Sequence, residues 1–323
     1  MLSGRQNVSS FRSLGRQRSI QRLGQPRMAA NGSASPVVAT VDARSESSFL
    51  ASLQKIEETV RAVDGSGACV ECHIRLPPSR PFPTLEDLDV LHGVLSVVGT
   101  HSAMLRLVPV FDSMLGGAEA DPGGEEAAVT PVAPARARLI LPSRARCGHD
   151  DHHGQCKHYD RRNSKLAFKT VAVGGTFDRF HAGHRLLLGA TALVATERVF
   201  IGITSDKLLE NKARKERLQG YAERSMQALS YTKAVRGTLD VTVGPLTDPN
   251  DPPLCAKEED FDAIVVSEET LSGAMWINEV RRAAGWHELA IVVVGLLLAH
   301  GDDLDATSNG GKISSSDLRE REM

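Results

Sequence analysis

The second half of the chain alternates two apolar patterns, and that alternation restricts the fold more than any other feature. Residues 170–173, 199–204, 241–243, 263–266 and 289–294 are short apolar runs of strand length. Between them, residues 182–196, 222–235 and 272–284 read as helices, and a short helix closes the chain near its C-terminus. Several of the strands are continuously apolar, which is the pattern of strands buried on both faces. The fold class read from this is α/β, a parallel sheet covered by helices on both sides. Ligands of such sheets bind at the carboxyl ends of the strands, near a switch in strand order.

The first half is different. The chain has 323 residues, about twice the ~150 of a typical domain. Residues 1–41 contain no Asp or Glu but carry Arg5, Arg12, Arg16, Arg18, Arg22 and Arg27. Val8, Phe11 and Leu14 would share one helical face there, although Arg18 falls on the same side. This composition fits either a disordered tail or an organelle transit segment. The cytoplasm is the expected compartment, with a mitochondrion or plastid as the alternative if residues 1–36 are a transit peptide. From residue 37 the chain reads as folded. Phe49, Leu50, Leu53, Ile56, Val60 and Val63 recur at helical spacing, with Ser47 or Ser48 as the cap. Val70, Cys72, Ile74 and Leu76 alternate with polar neighbours as a half-buried strand. Further apolar stretches lie at 91–98, 105–111 and 139–141, with a Gly-, Ala- and Pro-rich segment at 116–136. The expected organisation is a tail (1–36), a small mixed α/β unit (37–143), a polar His-rich linker (144–166) and the α/β domain (167–323).

Composition excludes some functions. The net charge of −2 argues against a strongly basic nucleic-acid binder, and no nucleic-acid partner is expected. The longest apolar run, residues 289–299, falls short of the ~20 needed to cross a bilayer, so no membrane partner is expected. Five cysteines make no disulfide framework and fit a reducing compartment. The sequence says nothing of the oligomeric state.

Chemistry concentrates in two motifs. The first runs from Gly174-Gly175-Thr176-Phe177-Asp178 through His181-Ala182-Gly183-His184. It follows the first strand of the α/β domain and opens its first helix. Paired glycines let the backbone turn tightly and approach a ligand. The helix start offers free N–H groups and positive dipole to an anion. His181 and His184 project on one side of the first turn and can donate to phosphate oxygens. The second motif is Lys312-Ile313-Ser314-Ser315-Ser316-Asp317-Leu318-Arg319. Serine hydroxyls at a helix start can hold phosphates, and Lys312 adds a mobile charge. Neither a GxGxxG fingerprint nor a GxxxxGK[ST] P-loop occurs in the chain.

The His-x-Gly-His and Ile-Ser-Ser-Ser pairing resembles the nucleotidyltransferase superfamily. Within it the sequence is most similar to the phosphopantetheine adenylyltransferase family of eukaryotic and archaeal type. The resemblance runs from about residue 169 to 319. It includes Gly202-Ile-Thr-Ser-Asp206 with Lys212, Glu223-Arg224, Val266-Ser-Glu-Glu-Thr270, and Ile277-Asn278 with Arg281. It implies a Rossmann-like domain and adenylyl transfer from ATP to 4′-phosphopantetheine, giving dephospho-coenzyme A and pyrophosphate, with Mg²⁺ on the ATP. It implies His184, His181, Lys212 and Thr176 as catalytic residues, with Lys207 and Lys215 as substitutes for Lys212. It places ATP against Gly174, Gly175, Thr176, His181, Gly183, His184, Arg224, Lys312, Ser314, Ser315 and Ser316. It places the second substrate against Thr176, Lys212, Asn278 and Arg281. The chain ends shortly after the serine motif and holds no P-loop, so adenylyl transfer alone is expected. A cytidylyltransferase of the same superfamily, or a non-catalytic scaffold, are the alternatives.

Two segments depart from the family pattern. Asp248-Pro249-Asn250-Asp251-Pro252 carries Asp251 where the family has glycine, and residues 301–311 form a long polar loop. Cys147, His149, His152, His153, Cys156 and His158 cluster in the linker, but their spacing matches no standard zinc finger. No metal site is assigned there. Cys69 and Cys72, three apart on a strand, point to opposite faces and cannot chelate together.

Overall fold

A computed structural model describes residues 37–43, 45–63, 69–75, 83–98, 106–111, 136–142, 165–210, 214–297 and 314–321. The tail 1–36, the Cys/His stretch 147–158, Lys212, Lys312 and the loop 301–311 lie outside the described residues.

The α/β domain follows the alternation of its sequence. β5 (Phe168–Gly175), α3 (Ala182–Val194), β6 (Ala195–Thr204), α4 (Tyr221–Val235) and β7 (Asp240–Leu246) form its first half. β8 (Ala263–Ser267), α5 (Leu271–Ala283), β9 (Ala290–Val294) and α6 (Ser315–Arg321) form the second. With β4 (Arg138–Ile140) at one edge, the strand order is β4-β9-β8-β5-β6-β7. The chain therefore steps outward from β5 to β7, then returns to β8 on the other side of β5. That reversal puts the ligand crevice at the carboxyl ends of β5 and β8. Alternate residues of one strand serve two cores. Val171, Val173, Ala263 and Val265 pack with α3, while Ala172, Ile264 and Val266 pack with Ala274 and Ile277 of α5. Residues 185–194 of α3 are all buried. Each fully buried Leu of that helix contributes about 1.5–3 kcal/mol.

The N-terminal unit is a second, smaller parallel sheet. β1 (Val37–Asp42), α1 (Glu46–Val63), β2 (Cys69–Arg75), α2 (Leu85–Val98) and β3 (Arg106–Phe111) give the order β1-β2-β3. On β2, Val70, Cys72 and Ile74 are fully buried and His73 between them is partly exposed. Burial pushes the Cys72 thiol up to about 12, as it does for Cys255 near α5. Both are inert core residues rather than ligands. The cap of α1 is Ser45, whose Oγ accepts from the Ser48 amide at 3.2 Å, not Ser47 or Ser48. Leu50 is exposed, so the apolar stripe is narrower than the sequence pattern.

One boundary differs from expectation. The apolar stretch at 139–141 was assigned with the unit 37–143, yet β4 (Arg138–Ile140) pairs antiparallel with β9 in the larger sheet. A three-residue strand carries too little pattern to disclose its partner. α2 also begins six residues before its apolar run. Glu86, Asp87 and Asp89 interrupt the pattern but are buried. Asp87 Oδ2 accepts from the Thr84 amide, and Asp89 Oδ1 accepts from the amides of Arg136 and Ala137, each at 2.7 Å. Those bonds meet the cost of burying the carboxylates.

Candidate active site

The turn from β5 into α3 is held in an unfavourable backbone conformation. Phe177 has φ 54° and Arg179 has φ 48°, both in the left-handed region. Such residues cost roughly 1–3 kcal/mol each and persist only where the surroundings over-determine them. The surroundings here do so. Gly175 makes room for the Phe177 ring, since a Cβ there would lie 3.0 Å from it. The Asp178 carboxylate, fully buried, accepts from the Gln219 amide at 3.0 Å through Oδ1 and from Arg319 through Oδ2. The Arg179 amide donates to Gln219 Oε1 at 2.8 Å, and the Thr176 carbonyl accepts from Arg224 at 2.6 Å.

The spacing of His-x-Gly-His follows from this turn. His181 is the N-cap of α3, and its Nδ1 accepts from the Gly183 amide at 3.2 Å. A backbone N–H can only donate, so the proton of the neutral ring sits on Nε2, leaving that nitrogen as a donor. A Cβ at residue 183 would lie 3.1 Å from the His181 ring, which explains the glycine. His181 stacks on His184 with centroids 3.9 Å apart, and His184 also packs against Phe177 and Phe180. Thr176 Oγ1 lies 3.5 Å from Thr204 Oγ1 at the end of β6. The first motif thus presents imidazole and hydroxyl groups together at the carboxyl edge.

The serine helix docks on the same turn. Ser315 Oγ donates to the Asp178 carbonyl at 2.8 Å, and Arg319 Nη2 donates to Ser316 Oγ at 3.1 Å. The Arg319 carbonyl in turn accepts from Arg217 at 3.0 Å. Ser315 and Arg319 thus tie the serine helix to Asp178, in the turn that leads from Thr176 to His181. Asp178 and Arg319 were present in the motifs but had no assigned role. Nothing local in the sequence shows that residues 141 positions apart form a buried pair.

Three assignments need correction. Arg224 was placed on ATP, but it is fully buried. Its Nε donates to the Gln219 carbonyl, Nη1 to Thr176 O, and Nη2 to Thr204 O and the Asp206 carboxylate. It ties the ends of β5 and β6 together. Asn278 and Arg281 were placed on the second substrate. Asn278 pairs both ways with the backbone of Leu289, at 3.0 and 2.8 Å. Arg281 spends its five N–H donors on the carbonyls of His287, Cys255, Glu258, Glu259 and Phe261. The reason is directional. α5 leaves the carboxyl end of β8 and runs back across the sheet, so its second half ends at the amino end of β9, opposite the crevice. Lys207 and Lys215, the substitutes for Lys212, are exposed beyond β6. Asp251, in the glycine position, pairs with Lys257 and turns back on Asp248.

The second half of the chain is similar to known proteins. A family profile described as cytidylyltransferase-like matches residues 172–321. The phosphopantetheine adenylyltransferase of Methanopyrus kandleri is 40% identical over 152 residues, covering 47% of this chain and 89% of that protein. The chain belongs to the phosphopantetheine adenylyltransferase family. The member from Pyrococcus furiosus is 36% identical over 155 residues, covering 48% of this chain and 89% of its own length. That from Saccharomyces cerevisiae is 37% identical over 152 residues, covering 47% of this chain and 48% of its own. The chain spans about half the length of the fungal relatives it matches. Its mostly parallel sheet, flanked by helices, is a Rossmann-like domain.

Proposed function

We propose that the chain transfers the adenylyl group of ATP to 4′-phosphopantetheine, forming dephospho-coenzyme A and pyrophosphate. The observation that carries this is the docking of one motif on the other: Ser315 and Arg319 of α6 bind Asp178, three residues before the stacked His181–His184 pair. The phosphate of the second substrate is already ionised and attacks the α-phosphorus of ATP without a strong base. The P–O bond to pyrophosphate breaks as the new P–O bond forms. The protein's part is to position both phosphates and to stabilise charge on the phosphorus oxygens. His181 Nε2, His184 and the positive end of the α3 dipole favour that charge. Thr176 orients the attacking phosphate, Ser314, Ser315 and Ser316 receive the β- and γ-phosphates, and Lys212 and Lys312 add positive charge.

These groups are donors suited to phosphate oxygens, and the one carboxylate at the turn, Asp178, is committed to Arg319 and Gln219. Mg²⁺ in this reading arrives as MgATP, held by phosphate oxygens and water. The test is direct. Purified full-length protein is incubated with 4′-phosphopantetheine and either ATP or CTP, and pyrophosphate is measured. Release with ATP and none with CTP is expected. Release only with CTP would make the chain a cytidylyltransferase, and release with neither would leave a scaffold.

A further inference from the structure

The N-terminal unit shares the protein's largest core with the α/β domain. Leu91 of α2 lies where a Cβ at Gly189 of α3 would stand 3.2 Å away. Leu166, just before β5, donates its amide to the Pro83 carbonyl at 2.9 Å. The most pointed contact lies at the exit of β9. His92 Nε2 is 3.1 Å from the Leu296 carbonyl, and its Nδ1 is 3.2 Å from Ser96 Oγ. A carbonyl only accepts, so His92 carries its proton on Nε2 and donates it. Gly295 lets this happen, because a Cβ there would lie 3.0 Å from Arg136 Cβ and 3.4 Å from the His92 ring. Asp89, one turn before His92, holds the backbone at Arg136 and Ala137.

Three segments thus converge on residues 295–297: α2, the lead into β4, and β9 itself. Those residues stand at the carboxyl end of β9, beside β8, on the rim of the crevice. From there the chain proceeds to the serine helix. We infer that the N-terminal unit is a working part of the catalytic half, and that His92 is a positioning residue holding the crevice rim at Leu296. The inference rests on the adenylyl transfer reading for its kinetic arm only. His92 touches no substrate. It holds the backbone at the end of β9.

The test uses the full chain with His92→Leu, His92→Gln and Ser96→Ala. Glutamine places an amide donor where Nε2 was, and leucine places none. His92→Leu should raise the KM for ATP about five-fold, the scale of one net hydrogen bond. Its kcat and its KM for 4′-phosphopantetheine should stay near wild type, and His92→Gln should restore the ATP value. Ser96→Ala, which removes the hydroxyl that lies 3.2 Å from His92 Nδ1 and donates to the His92 carbonyl at 2.8 Å, should give a smaller rise in the same direction. Hydrogen exchange supplies a readout independent of activity: the peptide covering residues 290–297 should exchange faster in His92→Leu than in wild type or His92→Gln. A folded His92→Leu protein with wild-type KM and exchange would overturn the inference. If that variant fails to fold, wild-type KM and exchange in Ser96→Ala overturn it equally. A wild-type chain without adenylyl transfer would sink the proposed function, and the exchange arm would still decide the role of His92.

Discussion

Arg319→Met removes the cation that joins the serine helix to the strained turn. Both side chains of the Asp178–Arg319 pair are shut off from water, at 0% and 1% exposure. Removing one partner of a buried pair costs about 3–5 kcal/mol, because the other charge is stranded. Arg319 Nε is buried with no hydrogen-bond partner among the described residues, a cost that methionine removes. The lower end, about 3 kcal/mol, is therefore expected, or roughly 10²-fold in an equilibrium constant. That loss should not unfold the domain. α6 has seven residues and can release, which lets Asp178 recover water. ATP must then re-dock the helix before it can use Ser314, Ser315 and Ser316, and the apparent affinity falls with the docked fraction. The expected result is an ATP KM raised by one to two powers of ten, an unchanged KM for 4′-phosphopantetheine, and a nearly unchanged melting temperature. Limited proteolysis should find new cleavage near residues 314–321. Steady-state kinetics with each substrate varied in turn measures the split. An Arg319→Met enzyme with the wild-type ATP KM and an uncut C-terminus would show that the buried pair does not hold the serines in place.

Three further outcomes are expected. His184→Ala should lower turnover by roughly 10²–10³-fold, the scale of one lost transition-state donor, and a folded variant with unchanged kcat would remove His184 from the mechanism. Arg281→Lys offers three donors to five carbonyls, so calorimetry should find a lower melting temperature while both KM values hold; a selective rise in the KM for 4′-phosphopantetheine would restore Arg281 to the substrate site. Burial, with a smaller push from Arg136, holds the His92 pKa below its ordinary 6.5, although the Leu296 carbonyl and Asp89 act the other way. The unfolded chain therefore takes up this proton first as pH falls, and stability present above about 6.5 is lost below it. Melting temperature should drop more between pH 7.5 and 5.5 in wild type than in His92→Gln, and equal drops would contradict the shift.

The larger sheet was legible because its strands are apolar on both faces, a pattern that few other elements share. β6 nonetheless begins at Ala195, ahead of the predicted 199, because Thr196, Glu197 and Arg198 are exposed and break the apolar run. The histidine and glycine motif was legible because its chemistry is local: cap, ring and missing Cβ all lie within four residues. Arg224, Asn278 and Arg281 were misplaced for the opposite reason. A polar residue on a helix is read as facing outward, and nothing in its neighbours shows that backbone carbonyls await it beneath. Arg224 reaches under the β5 turn, and Arg281 reaches into the loop at 255–261. Both are large and buried, and both bond mainly to main-chain acceptors that only the folded chain assembles. Asp178 and Arg319 show the same limit, since each looked like one more letter of its own motif.

The enclosure of α3 bears on how the site responds to its surroundings. A helix whose flanks face water has its dipole field damped by solvent along its whole length. α3 is wrapped by α2, α4 and the sheet, so the low-dielectric medium begins at Arg185, one residue past His184. Mobile ions cannot come alongside it. The field at its N-terminus therefore reaches a bound triphosphate with little ionic screening. If ATP binds as proposed, its grip at that helix start should change less with salt than attraction exerted by exposed lysines, which fades as ionic strength rises.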